Sequence, residues 1–189
     1  MNASATEEEA LGTLLLARAR AALRRALCAD PAPLPDGEAL AGRGATFVTL
    51  HRQGRLRGCI GSLRPQRSLA EDVAANAVAA ATRDPRFAPL QCDELDSVDI
   101  EVSLLSPAEF IDFADEDALL RQLRPHTDGL MLFAGCRSAT FLPQVWDELP
   151  APADFLAALR NKAGLPPGRS VDGLMAARYT VRKWHEERP

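Results

Sequence analysis

Residues 46–63 read TFVTLHRQGRLRGCIGSL. Two apolar runs of strand length flank Arg52-Gln53-Gly54-Arg55, and this pattern predicts a β-hairpin with glycine in its turn. The second run, LRGCIGSL, threads an arginine and a cysteine between glycines, although strand interiors are poor places for glycine. A hairpin this far from either end commits the chain to an antiparallel sheet. The elements on both sides then have to pack against it.

Upstream, Thr6-Glu7-Glu8-Glu9 fits a capping box, and Leu11, Leu14, Leu15, Arg18, Ala22 and Leu23 follow at helical spacing. The helix is expected to end near Cys28, ahead of the proline-rich DPAPLPDG. Downstream, Ser68-Leu69-Ala70-Glu71 is a second capping box opening LAEDVAANAVAAAT, which stops before Asp84-Pro85. Its alanine-rich face, with Leu69, Val73 and Ala77, suits close packing on a sheet. Asn76 falls near that face, where a buried amide needs hydrogen-bond partners.

SVDIEVSLL alternates, with Val98, Ile100, Val102 and Leu104 opposite Asp99, Glu101 and Ser103. One polar face favours an antiparallel sheet. Residues 115–123 read as a short helix, and GLMLFAGCRSATFLP as a hairpin turning through Ala134-Gly135-Cys136-Arg137. PQVWDEL and ADFLAALRNKAG are short helices, the second stopped by Gly164 and Pro166-Pro167. RYTVRKW is expected to be one closing strand. The sum is an α+β fold with a mixed, mainly antiparallel sheet and packed helices.

Bulk properties narrow the function. With 189 residues, 47% hydrophobic and 25% charged, the chain reads as globular. No apolar run approaches the roughly 20 residues that span a bilayer. The acidic start MNASATEEEA lacks the features of a signal peptide, so a cytoplasmic protein is expected. A net charge of −4 gives no global reason to bind nucleic acid. Arg52, Arg55, Arg57, Arg64 and Arg67 cluster around the hairpin, as solvated surface or as a site for an anion or partner. Cys28, Cys59, Cys92 and Cys136 form no Cys-x-x-Cys pair and have no histidine at zinc spacing. Free thiols and no metal or other cofactor are therefore expected.

Cys59 is the candidate with chemical content. Strand alternation puts Arg57, Cys59 and Gly61 on one face and Leu56, Gly58 and Ile60 on the other. A guanidinium nearby favours thiolate, and Gly61 leaves room beside the sulfur. A nucleophile needs a base, and His51 is nearest in sequence. If Arg52 pairs with Arg55, then His51 pairs with Leu56 and Val48 with Cys59. His51 then lies roughly 10 Å along the sheet and on its other face. A one-residue change in register repairs the face but not the distance. Cys59 is thus either a nucleophile with a base from elsewhere in the fold or a packed, ligand-lining thiol.

Asp84-Pro85-Arg86-Phe87 is a rigid turn, either a simple anchor or the rim of a cleft. Glu101 is the carboxylate of interest on the polar strand face, where acids are usually solvated. Thr140 through Trp146, TFLPQVW, places Gln144 among large apolar residues, as core or as one wall of a pocket. There is no Walker loop, no GxGxxG and no G-x-S-x-G.

Taken together, LRGCIGSL, DVAANAVAAA, RDPRFAPL, DIEVSLLSP, DGLML, TFLPQVW and KAGLPP resemble the AMMECR domain family, protein A of bacterial AmmeMemoRadiSam systems. The resemblance spans about residues 10–185. It implies a single domain over 1–189, with a large subdomain formed by both termini and a smaller inserted one. It also implies a groove drawing on Arg57, Gly58, Cys59, Gly61, Asp84, Arg86, Phe87, Thr140, Gln144 and Trp146. The implied partners are a Memo-like, dioxygenase-related protein and a radical SAM protein. Two functions follow as expectations. One is an accessory component working with those partners. The other is an enzyme acting on a small anionic substrate held by Arg57 and Cys59.

Overall fold

The computed structural model describes residues 3–166 and 172–186. In chain order the elements are α1 (Ala3–Cys28), β1 (Arg43–Gly44), β2 (Thr46–Arg52), β3 (Arg55–Gly61), β4 (Arg67–Ser68), α2 (Leu69–Thr82), β5 (Val98–Leu105), β6 (Glu109–Ile111), α3 (Glu116–Leu120), β7 (Gly129–Ala134), β8 (Arg137–Phe141), α4 (Pro152–Lys162), β9 (Met175–Tyr179) and β10 (Val181–His185). Short 3-10 turns occupy Glu38–Leu40, Cys92–Ser97 and Pro143–Asp147. The fold is α+β with open sheets.

The chain forms two compact units, Met1–Leu105 with Arg182–Pro189, and Ser106–Val181. The first holds a four-stranded sheet in the order β10-β5-β2-β3, with the short pair β1-β4 beside it. Leu15, Ala19 and Leu23 of α1 and Val73, Ala77 and Ala80 of α2 share a core with Val48 and Leu50 of β2 and Ile100 and Val102 of β5. The alternate positions Phe47, Thr49, His51 and Glu101 are only half-buried. Arg20 of α1 pairs with Glu186 and also donates to the carbonyls of Leu95 and Val98, at 2.9 and 2.6 Å, tying the end of β10 to this unit.

The second unit is a sheet in the order β6-β9-β7-β8. Its core joins Ile111, Leu119, Leu130, Leu132, Trp146, Phe155, Leu156 and Ala176. Trp146 stacks on Phe155 with ring centroids 3.7 Å apart.

Three local expectations need correction. The helix runs from Ala3, so Thr6 lies inside it and caps nothing; Ala3 and Ala5 are good helix formers and do not end it. RYTVRKW is two strands, because Thr180 leaves the ladder to exchange hydrogen bonds with Ser106, at 2.9 and 3.0 Å. β9 joins the second sheet and β10 the first. Cys28 and Cys92 are not free thiols but a disulfide, with Cα atoms 5.2 Å apart across 64 residues of sequence. The end of α1 and the turn after α2 meet in space, which spacing along the chain does not reveal. Cys59 and Cys136 remain free.

Candidate functional site

The hairpin places the site. Gln53 and Gly54 both take positive φ in the turn, and Arg52 faces Arg55. His51 faces Leu56, but the next pair is Leu50 with Gly58, so Arg57 is the extra residue of a β-bulge. Beyond it Thr49 faces Cys59, Val48 faces Ile60 and Phe47 faces Gly61. The expected pairing of Val48 with Cys59 is therefore wrong by one residue. The alternation of Gly58 and Ile60 against Cys59 and Gly61 survives, while Arg57 drops out of the ladder. The glycines are clearance. A Cβ on Gly58 would lie 2.2 Å from the Ala80 carbonyl of α2, and one on Gly61 would lie 2.2 Å from the Phe47 ring.

The bulge also changes where His51 points. Thr49 and His51 now share the face of Cys59, with His51 two residues, about 7 Å, further along β2. The imidazole stacks on His185 at 5.6 Å, and its Nδ1 is buried without a partner. The polar neighbour of the thiol is instead the Thr49 hydroxyl, 3.3 Å from Sγ.

β3 is an edge strand, so the amide of Cys59 points away from β2 and needs another acceptor. Asp84 supplies it. Its Oδ2 accepts the Cys59 N–H at 2.8 Å. The same carboxylate accepts from Arg86 N at 3.1 Å, Nε at 2.9 Å and Nη2 at 2.7 Å. The RDPRF turn thus folds onto its own aspartate and caps the strand edge. The Arg86 guanidinium, aided by the Cys59 and Arg86 amides and opposed by burial, holds the Asp84 carboxyl well below the usual carboxylate range.

Arg57 leaves the ladder toward Glu94, whose Oε2 is 3.5 Å from Nη2. Glu94 also accepts from Arg52 at 2.7 Å and from the Gln91 N–H at 3.0 Å. That backbone bond, then the two arginines, pull its carboxyl below the usual range against burial. The Arg57 side chain is 14% exposed, and its Nη1 is buried without an acceptor. The guanidinium groups of Arg86 and Arg57 lie over the Phe87 ring at 5.5 and 6.0 Å.

Glu101 faces Thr49 from the other neighbouring strand, β5, so Cys59, Thr49 and Glu101 form one row across three strands. Two strand spacings, about 10 Å, separate the first from the last. Glu101 instead lies 3.9 Å from Lys183 on β10.

Thr140, Gln144 and Trp146 belong to the second unit. Thr140 Oγ1 donates to the Leu130 carbonyl at 2.9 Å and meets the Tyr179 hydroxyl at 3.0 Å. Burial pushes the Tyr179 hydroxyl up to about 12, against the effect of its bond with Thr140. Trp146 is fully buried and donates Nε1–H to the Asp128 carbonyl at 2.7 Å. Gln144 is exposed. Within the first unit, Arg57, Gly58, Cys59, Asp84, Arg86 and Phe87 come together, with Gly61 beside them and Glu101 apart.

Sequence reasoning missed a second polar cluster behind Gly61. The buried carboxylate of Asp72 accepts from Thr46 N and Oγ1, both at 2.8 Å, from Asn76 at 2.9 Å, from Ser62 at 2.7 Å and from Arg67 at 2.8 Å. It fixes the start of β2 and the loop after β3 to α2. Asp72 is one turn before Asn76, so the reasoning that placed Asn76 near the packed face also reaches Asp72. A cleft of about 370 Å³ lined by Ser62, Arg64, Gln66 and Arg67 opens beside it. No group of three or more His, Cys, Asp or Glu able to hold a metal ion occurs among the described residues. No helix among them is long and apolar enough to cross a membrane.

The AMMECR1 family model matches residues 16–184. The chain belongs to the AMMECR1 family. A protein of Methanothermobacter thermautotrophicus is 38% identical over 159 residues, covering 83% of this chain and 82% of the relative. A protein of Thermococcus onnurineus is 41% identical over 154 residues, covering 76% and 73%. The crystal structure of the uncharacterized protein PH0010 from Pyrococcus horikoshii superposes with a TM-score of 0.80 at 34% identity, covering 95% of this chain and 93% of the other. The AMMECR1 match contains both the bulged LRGCIG strand and the RDPRF turn.

Proposed function

We propose that this AMMECR1-family chain is a non-catalytic component that works with a Memo-like, dioxygenase-related protein and a radical SAM protein. The surface formed by Arg57, Cys59, Asp84, Arg86 and Phe87 is where it receives a partner segment or a group of their substrate. One observation carries this reading: the carboxylate beside Cys59 is committed to Arg86 and to the Cys59 amide. A carboxylate held so far below its usual range is a poor proton acceptor near neutral pH. The thiol itself is engaged by a threonine hydroxyl, not by a base. Cationic groups over an aromatic ring suit recognition of a negatively charged group.

Mixing the purified chain with each proposed partner, with sedimentation velocity as the readout, tests this. A complex weakened by Arg86→Ala supports it. No association at ~50 μM of each protein, well above the Kd of ordinary specific complexes, sinks it.

A second reading rests on a different observation, the buried Arg57 Nη1 that lacks an acceptor. An incoming carboxylate or phosphate would satisfy it, making the site one for a small anionic substrate with Cys59 as nucleophile. Cys59→Ser and Cys59→Ala, assayed against such substrates, separate the two readings. Unchanged turnover in both variants ends the nucleophile idea.

A further inference from the structure

The second unit carries an apolar surface that its own core does not use. Phe110 of β6 faces Ala177 of β9, and Met175, two residues from Ala177 on the same strand, faces Phe133 of β7. Strand alternation puts these side chains on one face of the sheet, while their neighbours Ile111, Ala176 and Leu132 enter the buried core from the other. Phe110 reaches across β9 to Phe133, with ring centroids 6.1 Å apart. At 67% and 51% exposed, Phe110 and Met175 are the two most exposed large apolar side chains among the described residues. Singly exposed apolar residues are ordinary, but a cluster of them beside an open strand edge marks a contact surface. β6 is that edge, with β9 on one side and no strand on the other.

The charges around the patch select its occupant. Residues 109–120 hold five acids, Glu109, Asp112, Asp115, Glu116 and Asp117, and no lysine or arginine. Arg178 lies 3.4 Å from Glu109, Arg160 pairs with Glu116, and Asp115 caps α3 by accepting the Ala118 N–H at 2.7 Å. Asp112 and Asp117 are exposed and pair with no cation among the described residues. A second copy of the chain, laid edge to edge, would bring two such acidic segments together, and like charges repel. A basic strand meets the same segment favourably. We propose that β6 and the patch of Phe110, Phe133 and Met175 take an extended, lysine- or arginine-rich segment of another protein, which adds to the open edge of this sheet. Its main chain bonds to the free side of β6, its apolar side chains lie on Phe110 and Met175, and its basic ones meet the acidic segment. This surface belongs to the second unit alone, so the proposal goes beyond the partner reading of the Arg57 and Arg86 surface and does not rest on it.

The probe is a short, fluorescein-labelled, acetylated peptide in which lysine and valine alternate, titrated with the intact chain at low salt and followed by fluorescence anisotropy. Saturable binding is expected with a Kd below about 300 μM, the range of weak peptide recognition. Phe110→Ala and the double variant Asp112→Asn with Asp117→Asn should each weaken it about fivefold or more, while Glu7→Gln on α1 should leave it unchanged. All four side chains are exposed, so these variants keep the fold. The same peptide with glutamate in place of lysine should not bind. Hydrogen–deuterium exchange at residues 109–111 should slow in the complex, which attraction between side chains alone does not produce. No binding of the lysine peptide up to that concentration overturns the proposal. So does binding that Phe110→Ala leaves intact, or that leaves exchange in β6 unchanged. A concentration-dependent dimer that Phe110→Ala abolishes also overturns it, because the face would then belong to a second copy.

Discussion

Asp84 concentrates several jobs in one side chain: it satisfies the outward amide of the edge strand, folds the RDPRF turn and orients Arg86. Because its carboxyl titrates below the ordinary value of 3.8, the unfolded chain binds its proton first as pH falls. Stability from this group is thus complete at neutral pH, begins to fall as the pH drops to about 4, and is lost further as acidification proceeds through the lowered folded-state value. Asp84→Asn keeps the shape but removes the charge and replaces one accepting oxygen by an NH2 that faces N–H donors, so urea unfolding at pH 7 should show a loss of about 3 kcal/mol. The same variant should be less sensitive to acidification between about pH 4 and 2.5 than the parent, which is the part a purely steric effect would not produce. Asp72 makes a contrasting case. Its replacement by alanine leaves the buried Thr46 N–H without its acceptor and takes a partner from the Thr46 and Ser62 hydroxyls, while Asn76 keeps the Thr46 carbonyl, which should cost about 3 kcal/mol in the same assay.

Between elements, the decisive contact is α2 against β3, where Gly58 lies under the carbonyl of Ala80. Gly58→Ala must push the helix or the strand, so a loss of about 1–3 kcal/mol in urea unfolding is expected. Gly42→Ala, with nothing within 4 Å of its Cβ, should leave the midpoint nearly unchanged and serves as the control. The elements meeting here were legible in sequence because they carry strong local signals: a glycine turn between apolar runs, a Ser68–Glu71 capping box, and proline after Asp84. What stayed hidden was set by the third dimension. A bulge at Arg57 has no local mark, and it alone moved Thr49 opposite Cys59 and turned His51 onto the thiol's face. The closing strand read as continuous because alternation in RYTVRKW persists across Thr180, where the chain changes sheets. Asp84 could be placed in a turn from the proline after it, but its bond to Cys59 joins residues 25 positions apart and depends on which strand is the edge.

At the scale of the whole chain, each unit carries its own core and its own tryptophan. Trp184 packs against the core of the unit built from both ends of the chain, and Trp146 is buried in the core of the other. The Cys28–Cys92 disulfide lies entirely within the first unit and closes a 64-residue separation. On the loop-entropy argument, a cross-link of that span stabilises by about 4 kcal/mol, and the effect belongs to whatever unfolds together with it. If the two units unfold separately, breaking the disulfide should weaken one and spare the other. The Trp146→Phe chain reports the first unit through Trp184, and the Trp184→Phe chain reports the second through Trp146, because the sequence has two tryptophans. Tryptophan emission during urea unfolding, with and without dithiothreitol, is therefore expected to show a lower midpoint after reduction in Trp146→Phe and the same midpoint in Trp184→Phe. Matching shifts in both chains would mean that the units unfold as one cooperative block, in which case the stabilisation by the disulfide extends to the sheet that carries Thr140 and Tyr179.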